Sequence, residues 1–261
     1  MKKLRILYFN STVAFICAFI ITTFIHEGGH FIAYIIFDAQ PTMYPNYVSI
    51  PDQSLADYIR IIAALAGPCI SLLQGVIFWS VLRYKINNTV FSLLNLWLCL
   101  LGFINFFGYL MLTPFSTEGD TGRSAQLLQI PYFYRILIAV IGIITIILIV
   151  LKIGKWFARF IPDNTDISIR RRYVNALVFF PIITGSVINS ALAFPLPSVL
   201  SLIYPATSAY VILSSYGVIL KSGGGFTGTS MMEEKLSIPL ISGLIILLIT
   251  KSLLSLGLHF T

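Results

Sequence analysis

Phe24-Ile25-His26-Glu27-Gly28-Gly29-His30-Phe31 places two imidazoles and a carboxylate inside an apolar run. The run extends both ways, uncharged from Ile6 to Ile25 and resuming through Phe31-Ile32-Ala33-Tyr34-Ile35-Ile36-Phe37. It predicts one helix from about Leu4 to Phe37, longer than the ~20 residues a bilayer crossing needs. Ionisable groups at that depth are costly and mark functional sites by default. The H-E-x-x-H spacing also has a chemical meaning. Residues four apart share a helix face, so His26 and His30 can present ring nitrogens to one tetrahedral zinc ion. Glu27, one position on, is placed to reach a water on such a metal rather than the metal itself.

The rest of the composition agrees with a membrane setting. Of 261 residues, 57% are hydrophobic and only 10% charged, against about 25% charged in a soluble domain. The mean hydropathy is +0.89. The net charge of +7 comes from bases in short loops between apolar runs, as in cytoplasmic loops, and no nucleic-acid partner is expected. Cys17, Cys69 and Cys99 lie in three different apolar runs with no C-x-x-C spacing, so buried, inert thiols are expected. The amino-terminal apolar run exceeds the ~7–15 residues of a signal-peptide core and has no small-x-small cleavage site. It is read as a retained helix.

Further spans are expected at about Ile59–Leu82, Thr89–Thr113 and Pro131–Leu151. Two more follow in the uncharged stretch Tyr173–Leu220, turning at Pro195-Leu196-Pro197, and a last one at about Leu236–Leu258. The fold class is therefore all-α, a polytopic membrane helical bundle of about seven transmembrane helices in a single integral membrane domain over residues 1–261. Between the first two spans, the alternation around Asn46-Tyr47-Val48-Ser49-Ile50 suits a short strand or hairpin. Lys152–Arg172 is read as the most basic loop, with Arg170-Arg171-Arg172 setting topology or meeting anionic lipid. Ser222–Thr229 is read as a Gly-rich connector, since no Gly-Lys-Ser/Thr follows. In this seven-span order thirteen Lys and Arg fall on the amino-terminal side and four on the other. The positive-inside rule then puts the amino terminus in the cytoplasm and His26 towards the outer side. The bacterial plasma membrane is the expected location. Lys251 is expected to snorkel at the outer end of the last span.

A hydrolytic zinc site needs a third protein ligand and leaves the fourth position to water. The end of the third span brings Glu118 and Asp120 to the level of His26. Asp120 is the favoured ligand and Glu118 the other candidate, with Asp38, Asp52 and Asp57 in the first outer loop.

In these motifs the chain resembles the site-2 proteases, intramembrane zinc metallopeptidases. His26-Glu27-Gly28-Gly29-His30 matches the family's H-E-x-x-H. Ala66-Gly67-Pro68-Cys69-Ile70-Ser71 resembles its G-P-x-x-N element, with Ser71 where asparagine is usual. Pro114 through Asp120-Thr121-Gly122-Arg123 resembles its N-x-x-P-x-x-x-x-D-G element, with Leu112 at the asparagine position, Asn105 out of register, and Thr121 inserted. The resemblance implies a metallopeptidase core over residues 1–130, additional transmembrane helices over 131–261, and Zn2+ held by His26, His30 and Asp120. It further implies Glu27 as the catalytic base and a membrane-protein substrate unwound within the lipid bilayer. Two other readings stand beside it. One is a metal-ion or proton transporter or channel lined by the His26, Glu27 and His30 face; the other is a catalytically inactive relative that binds membrane helices.

Overall fold

The structure is a computed structural model. It describes all residues except 1, 52–53, 85–86, 164–165, 195, 197, 225–234 and 261. Asp52, part of the turn at Pro195-Leu196-Pro197, and most of the Gly-rich connector therefore lie outside the described residues.

Helix α1 (Lys2–Ile36) spans about 52 Å at 1.5 Å per residue. It ends where Asp38 takes φ 53° and the Asp38 and Ala39 N–H groups bond back to Ile35 and Tyr34, a left-handed helix stop. The chain then forms a hairpin of β1 (Thr42–Tyr44) and β2 (Tyr47–Ser49), at the place the alternation indicated. Next come α2 (Asp57–Tyr84), α3 (Val90–Leu112) and the short α4 (Asp120–Leu127). Helix α5 (Tyr132–Gly154) continues as a 3-10 turn to Phe160. The fifth crossing is α6 (Ile167–Val174), a π turn (Asn175–Phe179) and α7 (Phe180–Leu192). The sixth is α8 (Leu200–Thr207), a 3-10 stretch and α9 (Tyr216–Lys221). Helix α10 (Ile238–Leu254) leads into β3 (Leu258–His259), which pairs with β1 for the strand order β2-β1-β3. With 78% of the structure helical, the fold is an all-α bundle.

Among the described residues six helices are long and apolar enough to cross a membrane, and the seventh expected span is the shorter α10 at 17 residues. Although short, α10 runs the depth of the bundle beside α1. The Ser237 N–H at its start donates to Asn10 Oδ1, while the strand after it pairs with β1, beyond the far end of α1. The passes alternate as expected. Trp79, late in α2, packs edge-on against Trp156 after α5 and carries Lys152 Nζ over its ring at 4.9 Å. At the opposite end, Asn46 of the hairpin turn donates to the Ala193 carbonyl just past α7 at 2.7 Å.

Burial sorts the helices into inner and outer. The most apolar stretch of α1 is 67% buried, that of α5 only 28%. Ile136, Leu137, Val140, Ile141, Ile144 and Leu148 of α5 are exposed, a contiguous apolar face suited to lipid and untenable in water. Helix α1 is thus the axis against which α2, α3, α7 and α10 pack. Polar side chains tie these helices, as expected where no hydrophobic force drives association in lipid. Gln74 Nε2 donates to both Thr22 Oγ1 and the Leu98 carbonyl, at 2.8 Å each, joining α1, α2 and α3. Pro181 has no N–H to offer the carbonyl four residues back. That carbonyl belongs to Leu177, inside the π turn, and Ser11 Oγ of α1 donates to it at 2.6 Å.

Two readings of the basic and sulfur residues change. Arg170 is not in a loop. It sits in α6, 7% exposed, and its guanidinium donates to the Ile219 and Ser222 carbonyls at the end of α9, so a base expected in a loop caps the end of a helix. Cys17 and Cys99 are buried, whereas Cys69 is exposed on α2. Replacing Arg170 by Met should lower stability by about 2 kcal/mol, the scale of hydrogen bonds from a charged donor. A thermal melt in detergent reads this.

Candidate metal centre

The H-E-x-x-H helix supplies its two imidazoles as its spacing requires. Both are buried, and their rings meet edge to face with centroids 4.7 Å apart. Their Nε2 atoms approach to 3.0 Å. The third group is Asp120, the first residue of α4, whose Oδ2 lies 3.1 Å from His26 Nε2 and 3.4 Å from His30 Nε2. These three residues form the group whose ligand atoms converge closely enough to hold one ion. Glu118 is exposed and lines the adjoining cavity without joining the cluster.

The donor triangle fits a transition metal. A tetrahedral ion with ligands at about 2.0–2.1 Å has donor–donor edges of about 3.3 Å, close to the 3.0, 3.1 and 3.4 Å found. The outer nitrogens settle which atoms point inward. His30 Nδ1 donates to the Ala63 carbonyl at 2.7 Å. Ser71 Oγ spends its proton on the Gly67 carbonyl at 3.1 Å and so accepts from His26 Nδ1 at 3.3 Å. With both Nδ1 atoms protonated, both Nε2 lone pairs face each other and the carboxylate. Such convergence is stable only around a cation, either a proton or a metal that displaces it.

Close helix approach makes this possible. A Cβ on Gly29 would stand 2.8 Å from the Ala66 carbonyl oxygen, and one on Gly67 would collide with the His30 imidazole. Glycine at both positions lets α1 and α2 cross with the His30 ring wedged between them. Pro68 follows inside α2 and interrupts its hydrogen-bond ladder at the same turn. On the other flank, Thr121 Oγ1 donates to the Tyr109 carbonyl at 2.6 Å and accepts from Thr113 Oγ1 at 2.9 Å. The residue inserted between Asp120 and Gly122 therefore pins α4 to the end of α3. Tyr109 also stacks on His26, centroids 5.1 Å apart and planes 7° apart.

Beside the cluster lies a cavity of about 300 Å³, at the lower end of the range for small-molecule sites. Glu27, 8% exposed, lines it together with His26, His30 and Asp120. The hairpin turn, with Asn46 and Tyr47, closes one side. Lys251 of α10 lines it as well, so this base faces the cavity where snorkelling was expected. Asn105 and Asn189, both 3% exposed, line other walls. Asn105 Nδ2 donates to Tyr204 Oη at 3.1 Å, while its Oδ1, and both amide atoms of Asn189, have no hydrogen-bond partner among the described residues. Leaving such a group unpaired costs about 1–3 kcal/mol.

Sequence reasoning placed His26, His30, Asp120 and Glu27 at one site, and the structure brings all four to one cavity. It passed over Ser71 as a departure from a motif, and missed Tyr109, Tyr204 and Asn189. A helical serine four residues after Gly67 was a usable signal for Ser71, since back-bonding to that carbonyl frees its lone pairs. For the others no local pattern exists.

Replacing Ser71 by Ala should weaken metal binding about 10–100-fold, the usual effect of losing a ligand's outer partner, with helical content unchanged. Competition with a chromogenic chelator checks this. Comparison with protein-family models, curated proteins and solved structures finds no match to this chain, so the reading of the site rests on its geometry.

Proposed function

We propose that the protein is an integral-membrane zinc endopeptidase of site-2 protease type, cutting peptide bonds in or near membrane-spanning segments of other proteins. The observation that carries the reading is the convergence of His26 Nε2, His30 Nε2 and Asp120 Oδ2, with a second carboxylate, Glu27, on the wall of the same cavity. Three protein ligands with one position left open is the catalytic rather than the structural zinc pattern.

Bound there, zinc would act as a Lewis acid and lower the pKa of water to about 7. Glu27 takes a proton from the attacking water as its oxygen bonds to the scissile carbonyl carbon. It returns that proton to the amide nitrogen as the C–N bond breaks. Asp120 and the two imidazoles hold their geometry through Ser71, Ala63 and Thr121. A cavity of this size accommodates a short extended stretch rather than a folded helix about 10 Å across, so the substrate helix unwinds before it is cut. The base distribution favours an amino terminus in the cytoplasm and a site towards the outer side.

The test is cleavage of a panel of tagged single-span membrane proteins co-expressed with the wild type or with Glu27→Gln. Cleavage should fall at least 10²-fold in the variant, the scale of general acid–base catalysis, while metal content stays at one ion per chain. Equal cleavage by the two removes Glu27 from catalysis. Elemental analysis of the purified protein should read zinc, and iron or manganese in its place would sink the zinc assignment. Metal-ion flux into liposomes without proteolysis would favour the transporter reading.

A further inference from the structure

Asn189 stands apart from the polar side chains that tie the helices together. It lies in α7, outside the helices that carry the metal ligands, and is 3% exposed. Among the described residues neither Nδ2 nor Oδ1 has a hydrogen-bond partner, yet it lines the cavity that holds Glu27, His26, His30 and Asp120. Four residues on, the Ala193 carbonyl accepts from Asn46. The hairpin turn is thereby latched to the end of α7, with Asn46 and Tyr47 lining the same cavity as Asn189.

A primary amide buried in low dielectric with both ends unpaired is retained at a cost, and an apolar side chain of the same shape would avoid it. The chemistry that repays it is specific. In an extended chain the N–H and C=O of one residue point to the same side, which is why paired residues on adjacent strands exchange two hydrogen bonds. A carboxamide presents one acceptor and two donors, and the edge bearing Oδ1 and one N–H of Nδ2 reproduces that pattern.

We propose that Asn189 is a substrate-positioning residue: its carboxamide accepts from the N–H and donates to the C=O of a single residue in an extended peptide segment within the cavity. The inference rests on the protease reading and adds how the segment is held. It assigns recognition to the carboxyl-terminal half of the chain and makes it independent of side-chain identity, because only backbone atoms are read.

The experiment uses the full-length, zinc-loaded protein in detergent and two probes, acetohydroxamate and a tripeptide capped with a hydroxamate, with binding read by calorimetry. Asn189→Leu should weaken the capped tripeptide about tenfold or more and leave acetohydroxamate unchanged. Its thermal midpoint should stay level or rise, because an unpaired buried amide has been replaced by an apolar group. A structural role predicts the reverse, a lower midpoint with the two probes affected alike, and would overturn the proposal. A second measurement needs no variant. Methylating each backbone nitrogen of the tripeptide in turn should weaken binding to the wild type strongly at one position, and that penalty should vanish in Asn189→Leu. A position-independent response also overturns the proposal. Failure of both probes to bind the wild type would remove the protease reading itself, and this inference with it.

Discussion

Two imidazole nitrogens held 3.0 Å apart, with a carboxylate oxygen 3.1 and 3.4 Å away, form an arrangement that the rest of the bundle must enforce. Lone pairs repel, and each ring would rotate away unless its other nitrogen were tethered. The tethers are the Ala63 carbonyl for His30 and Ser71 Oγ for His26, both on α2. Helix α2 can come that close only because Gly29 and Gly67 meet at the crossing. The His-His-Asp cluster and the packing of α1 on α2 are therefore one feature: a side chain on Gly67 would displace the His30 ring, and a longer interhelical distance would release both rings.

The same logic places α4. Its hydroxyl link from Thr121 to the Tyr109 carbonyl and to Thr113 fixes the helix start against α3, and Asp120 occupies the first helical position. Side chains elsewhere perform similar repairs. Ser11 serves the carbonyl released by Pro181, and Arg170 serves the last carbonyls of α9. In lipid an unpaired backbone group costs several kcal/mol, so each break in helical regularity needs such a partner. The break at the start of α4 borders the cavity, where irregular backbone is tolerated because it meets polar groups rather than acyl chains.

The organisation of the carboxyl-terminal half bears on how the cavity is closed. Helices α7 and α10 both end at the hairpin, through Ala193 to Asn46 and through β3 to β1. The hairpin is therefore held from two sides by helices that carry none of the three clustered residues. That gives residues far from the H-E-x-x-H stretch, Asn189 and Lys251 among them, a place on the cavity wall.

The sequence by itself determined the membrane class, the order of the spans, their alternation and the pair of histidines on one helix face. These depend on hydropathy and on a 3.6-residue period, both local to a segment, and they survive whatever the neighbours do. It also narrowed the candidates for a third ligand to a few carboxylates at one level. Only the tertiary structure put Asp120 rather than Glu118 against the two histidines, turned Ser71 from a motif departure into a tether, moved Arg170 from a loop into a cap, and set Asn189 on the same cavity wall as Glu27. Each of these brings together residues 45 to 162 positions apart in the sequence. Helices associate in lipid by close packing and a few hydrogen bonds, not by hydrophobicity, so hydropathy carries no information about which polar side chains will meet.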